Sequence, residues 1–131
     1  YKKKAKILKH VSREILEKHA GKVPESESEL LAIKGVGRKT MNIVRCFAFN
    51  KTTIPVDINV HRIANRLGVT RTKNADETEK ELIKLLPKKY WKEINGLFVL
   101  HGKNICVPVS PLCSKCPVSE FCSRTNVTKS R

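Results

Sequence analysis

The 131-residue sequence is short of aromatic side chains and of acid. It holds one Trp, two Tyr and four Phe, so its core must be built from Ile, Leu, Val and Ala rather than from large rings. Only 12 Asp and Glu stand against 27 Lys and Arg, a formal net charge of +15. That imbalance argues for a polyanionic partner, of which nucleic acid is the commonest. Acid is absent altogether between Glu29 and Asp57, a stretch that carries Lys34, Arg38, Lys39, Arg45 and Lys51, and again between Glu93 and Glu120. A surface that faces phosphates needs this purge, because one buried like charge costs more than one extra lysine contributes. No apolar run approaches the length of a membrane span, and no secretory signal pattern is seen, so no membrane partner is expected. The expected location is intracellular: cytoplasm or nucleoid, or nucleus or mitochondrion in a eukaryote. The first residue is Tyr, and the chain is expected to begin partway through a longer protein.

No segment has the alternation of a half-buried strand, and the class expected is all-α. Residues 3–20 read as an amphipathic helix with Ala5, Ile7, Leu8, Val11, Ile15 and Leu16 on one face and Gly21 at its end. Ser26 with Glu29 is a capping box for a short helix through Leu30, Leu31 and Ile33. A second helix from 38 to 49 has Met41, Ile43, Val44, Phe47 and Ala48 as apolar positions, with Asn50 suited to a left-handed stop. Residues 52–56 are β-branched around Pro55 and should be extended. Asp57 then caps a helix ending at Gly68, Asn74 and Glu77 cap one ending before Pro87, and a last long helix runs from 89 to 104. The polar tail, 123–131, reads as frayed.

Four of the five cysteines crowd the C-terminal region as Cys106-x6-Cys113-x2-Cys116-x5-Cys122. Crowded thiols without a secretion signal point to a soft metal centre rather than to disulfides. Paired knuckles are the usual zinc arrangement, and here only Cys113 and Cys116 form a close pair. The six-residue gap suits a larger body such as a [4Fe–4S] cluster, with zinc as the alternative. Cys46, alone in a helix, reads as a small buried apolar residue.

Ile33-Lys34-Gly35-Val36-Gly37-Arg38-Lys39-Thr40 places a Gly-x-Gly turn between two short helices. Glycine opens backbone angles closed to other residues, and amide N–H groups at the start of the second helix can receive a phosphate. The pattern is similar to a helix-hairpin-helix element, which grips a DNA backbone without reading its sequence. Lys39 taken alone is a phosphate contact, and Asp57 taken alone is a helix cap.

These pieces also occur in a particular order. Leu30 to Lys39, then Ile54-Pro-Val-Asp-Ile-Asn-Val-His-Arg-Ile-Ala-Asn-Arg-Leu-Gly68, then Leu100-His-Gly-Lys-Asn-Ile-Cys106 and the cysteine loop together resemble the endonuclease III group of helix-hairpin-helix DNA glycosylases. The resemblance covers nearly the whole chain. It implies part of a helical barrel domain over residues 1–51, with the hairpin at about 26–50, and a second helical domain over 52–131 closed by a [4Fe–4S] loop at 106–122. It further implies a glycosylase and AP lyase of base-excision repair that acts on oxidised pyrimidines in double-stranded DNA and flips the base out of the duplex. The alternatives are a monofunctional mismatch or adenine glycosylase and a non-catalytic DNA-binding module. By position, Lys39 is the nucleophile and Asp57 the essential carboxylate. Lys34, Gly35, Val36, Gly37, Arg38 and Thr40 hold DNA, and Cys106, Cys113, Cys116 and Cys122 hold the cluster. A monomer is expected once the barrel is complete. The sequence departs from the pattern where Ile58-Asn59 replaces the usual Thr-His and where Val107 to Leu112 lacks a basic residue, for which Lys103 and Lys115 could partly substitute.

Overall fold

The computed structural model describes all 131 residues. It is helical without strands: α1 (Lys2–Lys18), α2 (Glu27–Ala32), α3 (Arg38–Phe47), α4 (Ile58–Leu67), α5 (Ala75–Leu85) and α6 (Trp91–Asn104), with three short 3-10 turns. The chain divides into two compact units, Tyr1–Lys51 and Thr52–Arg131.

In the first unit, α1 stops at Lys18, two residues short of the expected end. Ala20 and Gly21 both take positive φ, and the N–H groups of His19 and Gly21 donate to the Ile15 carbonyl, which closes the helix early. Its apolar stripe is largely uncovered, with Ile7, Leu8 and Leu16 exposed. The one buried residue of α1 is Glu14. The capping box of α2 forms as expected, with Ser26 Oγ accepting from the Glu29 N–H at 3.5 Å. Leu30, Ile33, Met41 and Cys46 are buried together with Pro24 in this unit, so Cys46 is a core residue as its setting suggested. The buried face of α3 is Met41, Asn42 and Cys46, while Phe47 is 69% exposed. The expected stripe was therefore rotated: one residue on a helix turns the side chain about 100°, enough to carry Phe47 from the inner face to the surface. Asn50 adopts φ 53, the left-handed stop expected of it.

The second unit has a continuous core. Ile54, Val56, Val60, Ala64 and Leu82 are buried together, and Ala75, Leu86, Trp91, Ile94 and Phe98 pack against them. The helix caps read from sequence all form. Asp57 caps α4, Gly68 ends it at φ 83, and Asn74 Oδ1 accepts from the Glu77 N–H at 2.9 Å. The last helix is divided: Lys88–Tyr90 is a 3-10 turn and α6 begins at Trp91, whose Nε1 donates to the Leu86 carbonyl at 2.9 Å. Between α4 and α5, His61 Nδ1 and Thr78 Oγ1 lie 2.7 Å apart, a polar clasp in which Thr78 is fully buried.

The tail is not frayed. Ser123 N donates to Leu67 O and Thr125 N to Arg66 O. Arg131 N donates to Pro111 O at 2.8 Å and Ser114 N to Arg131 O at 3.0 Å. Main-chain hydrogen bonds fasten a segment whose polar side chains gave no apolar anchor to read, so the expectation from composition was wrong.

Candidate functional site

The hairpin turn is specified by one glycine from within. Gly35 sits at φ +102, and a Cβ there would lie 2.6 Å from Ile7 Cγ2. The turn closes through Val36 N–H to Ile33 O at 3.0 Å. Gly37 differs: it is the extended N-cap of α3 (φ −97, ψ 174), and a Cβ added to it would meet nothing within 4 Å. Nothing in the chain forbids a side chain at position 37, so any demand for glycine there comes from something that approaches from outside. No side chain caps α3, which leaves its first amides oriented as an anion-binding end. Lys34, Lys39 and Thr40 are exposed, and Val36 and Arg38 half-buried. Glu27 orients the basic groups nearby, with Arg45 Nη1 at 3.0 Å and Arg38 Nη1 at 3.6 Å from its carboxylate.

Glu14 anchors the approach to this turn. Its carboxylate accepts from the Lys34 N–H at 3.3 Å, lies 3.2 Å from His10 Nε2 and pairs with Lys18. The Lys18 hydrogen bond, against some burial, holds the carboxyl below its ordinary pKa. Sequence reading placed α1 by its apolar stripe and missed this residue.

Asp57 is placed by the start of α4. Its Oδ1 accepts from the N–H groups of Asn59 (2.8 Å) and Val60 (2.9 Å), and its Oδ2 from Asn59 Nδ2 (3.0 Å). Asn59 Oδ1 in turn accepts from Arg62 Nη2 at 2.9 Å. The same guanidinium donates to Gly102 O at 3.1 Å and, through Nε and Nη2, to Cys106 O at 3.1 and 3.0 Å. Burial lowers the Arg62 pKa, and the neighbouring Cys106 works against that shift. Lys39 belongs to the first unit and Asp57 to the second.

The four cysteines line one cavity, walled by apolar side chains such as Ile63, Leu67, Leu112 and Val127. Donors point at the sulfurs: Arg66 Nη1 lies 3.4 Å from Cys106 Sγ, and the Arg124 N–H 3.4 Å from Cys122 Sγ. His101 Nε2 lies 3.7 Å from Cys116 Sγ, and burial holds that imidazole below its usual pKa. All four thiols share this cavity. A single zinc requires four sulfurs about 2.3 Å from one point, whereas an iron–sulfur cluster spreads its ligands around a larger body. An all-thiol donor set in an apolar cavity, with N–H groups directed at sulfur, fits the cluster.

The loop from Val107 to Leu112 has no cation of its own but is supplied from elsewhere. Arg66 of α4 donates to Val107 O and Pro108 O, both at 2.7 Å, and Arg131 Nε to Ser110 O at 3.2 Å. Lys103 and Lys115, the substitutes read from sequence, are simply exposed. Sequence reading missed the roles of Arg62 and Arg66. Their signal was present in the spacing Arg62-x3-Arg66 on a helix whose other face is apolar.

A glycine hairpin before a short helix and a four-thiol clasp at the end of an all-α chain define a helix-hairpin-helix protein with a cysteine-held metal centre. Residues 1–88 match the family described as HhH-GPD superfamily base excision DNA repair protein, and residues 106–122 match the iron–sulfur binding domain of endonuclease III. The chain belongs to the HhH-GPD superfamily of base excision DNA repair proteins, and its cofactor is a [4Fe–4S] cluster. It is 48% identical to endonuclease III of Thermotoga maritima over 93% of this chain and 57% of that protein. It is 36% identical to endonuclease III of Escherichia coli K12 over 93% and 58%. Among solved structures it is similar to a trapped endonuclease III–DNA covalent intermediate (TM-score 0.84, 35% identity, 92% of this chain and 57% of that one). It is also similar to a thermostable thymine-DNA glycosylase (TM-score 0.79, 29% identity, 93% and 58%). The chain thus spans a little over half the length of these bacterial relatives.

Proposed function

We propose that the protein works in base-excision repair as a bifunctional DNA glycosylase and AP lyase, removing oxidised pyrimidines from double-stranded DNA inside the cell. The hairpin residues Lys34, Gly35, Val36, Gly37, Arg38 and Thr40 hold a backbone phosphate through main-chain amides and positive charge. The neutral amine of Lys39 attacks the sugar C1′, the glycosidic bond breaks and the base leaves. The resulting Schiff base acidifies the neighbouring C2′ proton, and β-elimination expels the 3′ phosphate. Asp57 assists deprotonation of the amine and stabilises positive charge on the sugar. Cys106, Cys113, Cys116 and Cys122 hold the cluster, which supplies a structural staple rather than a reaction site, because its ligand positions are filled.

The observation that carries this reading is the placement of Lys39, exposed in the first turn of α3 and two residues beyond Gly37, whose missing side chain is demanded by nothing inside the chain. A nucleophile so close to a phosphate-binding helix end is set to reach the adjoining sugar. Borohydride reduction on a duplex with an abasic site tests it: a covalent adduct is expected from the wild type and none from Lys39→Gln. DNA binding without any adduct would sink the lyase reading. The similarity to a thymine-DNA glycosylase favours a second reading, a monofunctional mismatch glycosylase. Base release without nicking, little affected by Lys39→Gln, would establish that one instead.

A further inference from the structure

We infer that Asn59 is a positioning residue for Asp57, and that with Arg62 it links the Asp57 carboxylate to the main chain of the first cluster cysteine. The inference rests on the lyase reading of Asp57 given above and adds to it the means by which that carboxylate is held. The chain of contacts is unbroken. Asp57 Oδ2 accepts from Asn59 Nδ2 at 3.0 Å, Asn59 Oδ1 accepts from Arg62 Nη2 at 2.9 Å, and the guanidinium reaches Cys106 O at 3.0 Å.

An amide between a carboxylate and a guanidinium has one orientation that satisfies both, nitrogen toward the acid and oxygen toward the cation. Asn59 is therefore polarised from both ends, and the hydrogen bonds are charge-assisted. The packing is built for it. A Cβ on Gly102 would stand 2.8 Å from Asn59 Oδ1 and 3.0 Å from Arg62 Nη2, so α6 admits this pair beside α4 only through a glycine. The two main-chain donors at the helix start, Asn59 N and Val60 N, both go to Asp57 Oδ1. They fix where the carboxyl group sits, and the Asn59 side chain, holding Oδ2, fixes its rotation. A carboxylate that must face a developing cationic sugar needs that second constraint, since small misorientation is costly in rate.

The sharp test is Asn59→Asp in the cluster-loaded protein, with Asn59→Ala beside it. The aspartate is isosteric and still accepts from Arg62, but it cannot donate to Asp57. Single-turnover nicking of an abasic-site duplex should fall about tenfold or more in both variants. The affinity for the duplex and the visible absorbance of the cluster should stay within about twofold of wild type. A purely structural role for Asn59 predicts the opposite pattern, with the isosteric variant at wild-type rate and the alanine variant losing cluster and affinity together. That pattern overturns the inference, as does a wild-type rate in both variants. Loss of the borohydride adduct in Lys39→Gln, measured in the same series, separates the two levels. If the wild type forms no adduct, the lyase reading and this inference fall together. If the adduct behaves as expected and Asn59→Asp keeps its rate, only the positioning role falls.

Discussion

The unit from Thr52 to Arg131 closes its apolar residues on one another, whereas the unit from Tyr1 to Lys51 leaves a helix face bare. Ile54, Val60, Ala64 and Leu82 are almost wholly buried in the former. In the latter, α1 exposes Ile7 (44%), Leu8 (66%) and Leu16 (67%), and is tied to the hairpin by the Glu14 carboxylate instead. The difference is also one of means. After α6 the second unit has no α-helix. It is ordered by arginine-to-carbonyl bonds, by the fastened tail and by the thiol-lined cavity, the kind of staple that a small apolar core needs. The first unit relies on local chemistry: caps, a glycine turn and ion pairs on Glu14 and Glu27. Two helical regions of one chain therefore depend on different things.

The largest expected effect tests that division. Cys113→Ser removes one of the four proposed cluster ligands and should abolish the visible absorbance near ~400 nm. It should destabilise the second unit by at least about 4 kcal/mol, the range reserved for losses such as a structural metal. Amide exchange should rise through residues 105–131 while the protected amides of α3 keep their rates. Simultaneous loss of protection in α3 would break the comparison, because the first unit would then depend on the staple as well.

What could be read beforehand divides along the same physical line. Ser26, Asp57, Asn74, Gly68 and Asn50 were legible because a cap or a left-handed stop is a contact between residues at most a few positions apart. The cysteine loop was legible as a metal site from spacing, but spacing left zinc open, and the match of residues 106–122 to the iron–sulfur binding domain of endonuclease III decides for a cluster. Phe47 was misplaced because periodicity fixes the pitch of a stripe but not its rotation, which is set by what the helix packs on. Asn42 at 3% exposure occupies the inner face instead. Arg62 and Arg66 looked like two more cations of a basic surface. Their guanidiniums in fact serve carbonyls about forty residues away, at Gly102, Cys106, Val107 and Pro108. The spacing Arg62-x3-Arg66 puts both on one face of α4, but it does not say which distant carbonyls they meet, and the partners of the tail are equally distant in sequence.

A smaller effect sharpens the account of the first unit. Gly35→Ala places a Cβ against Ile7 at a left-handed φ and should destabilise that unit by roughly 1–3 kcal/mol. Gly37→Ala meets no atom of the chain and should change stability by less than about 0.5 kcal/mol. On duplex DNA the order should change: Gly37→Ala weakens binding although it leaves the fold alone. Thermal melts paired with binding titrations check both. Equal binding by Gly37→Ala and wild type would show that position 37 is not where a phosphate comes close.

The smallest effect concerns acid. A carboxyl in each unit has its pKa held below the ordinary 4.5: Glu14, chiefly through the Lys18 hydrogen bond, and Glu77, chiefly through the Lys73 N–H at 2.9 Å. A depressed folded pKa means that the folded state binds its proton less readily than the unfolded chain. The stabilisation is therefore complete above the unfolded value and is lost as pH falls through the folded one. Acidification from about pH 5 downward should loosen both capping regions, with the Lys34 amide reporting on Glu14 and the Lys73 amide on Glu77. In Glu14→Gln the Lys34 amide, corrected for intrinsic exchange, should lose most of its pH dependence, and the Lys73 amide should keep its own. If both amides flatten in that variant, the two units share one acid response, and the separation between a carboxylate-tied helix and a self-closed core does not extend to pH.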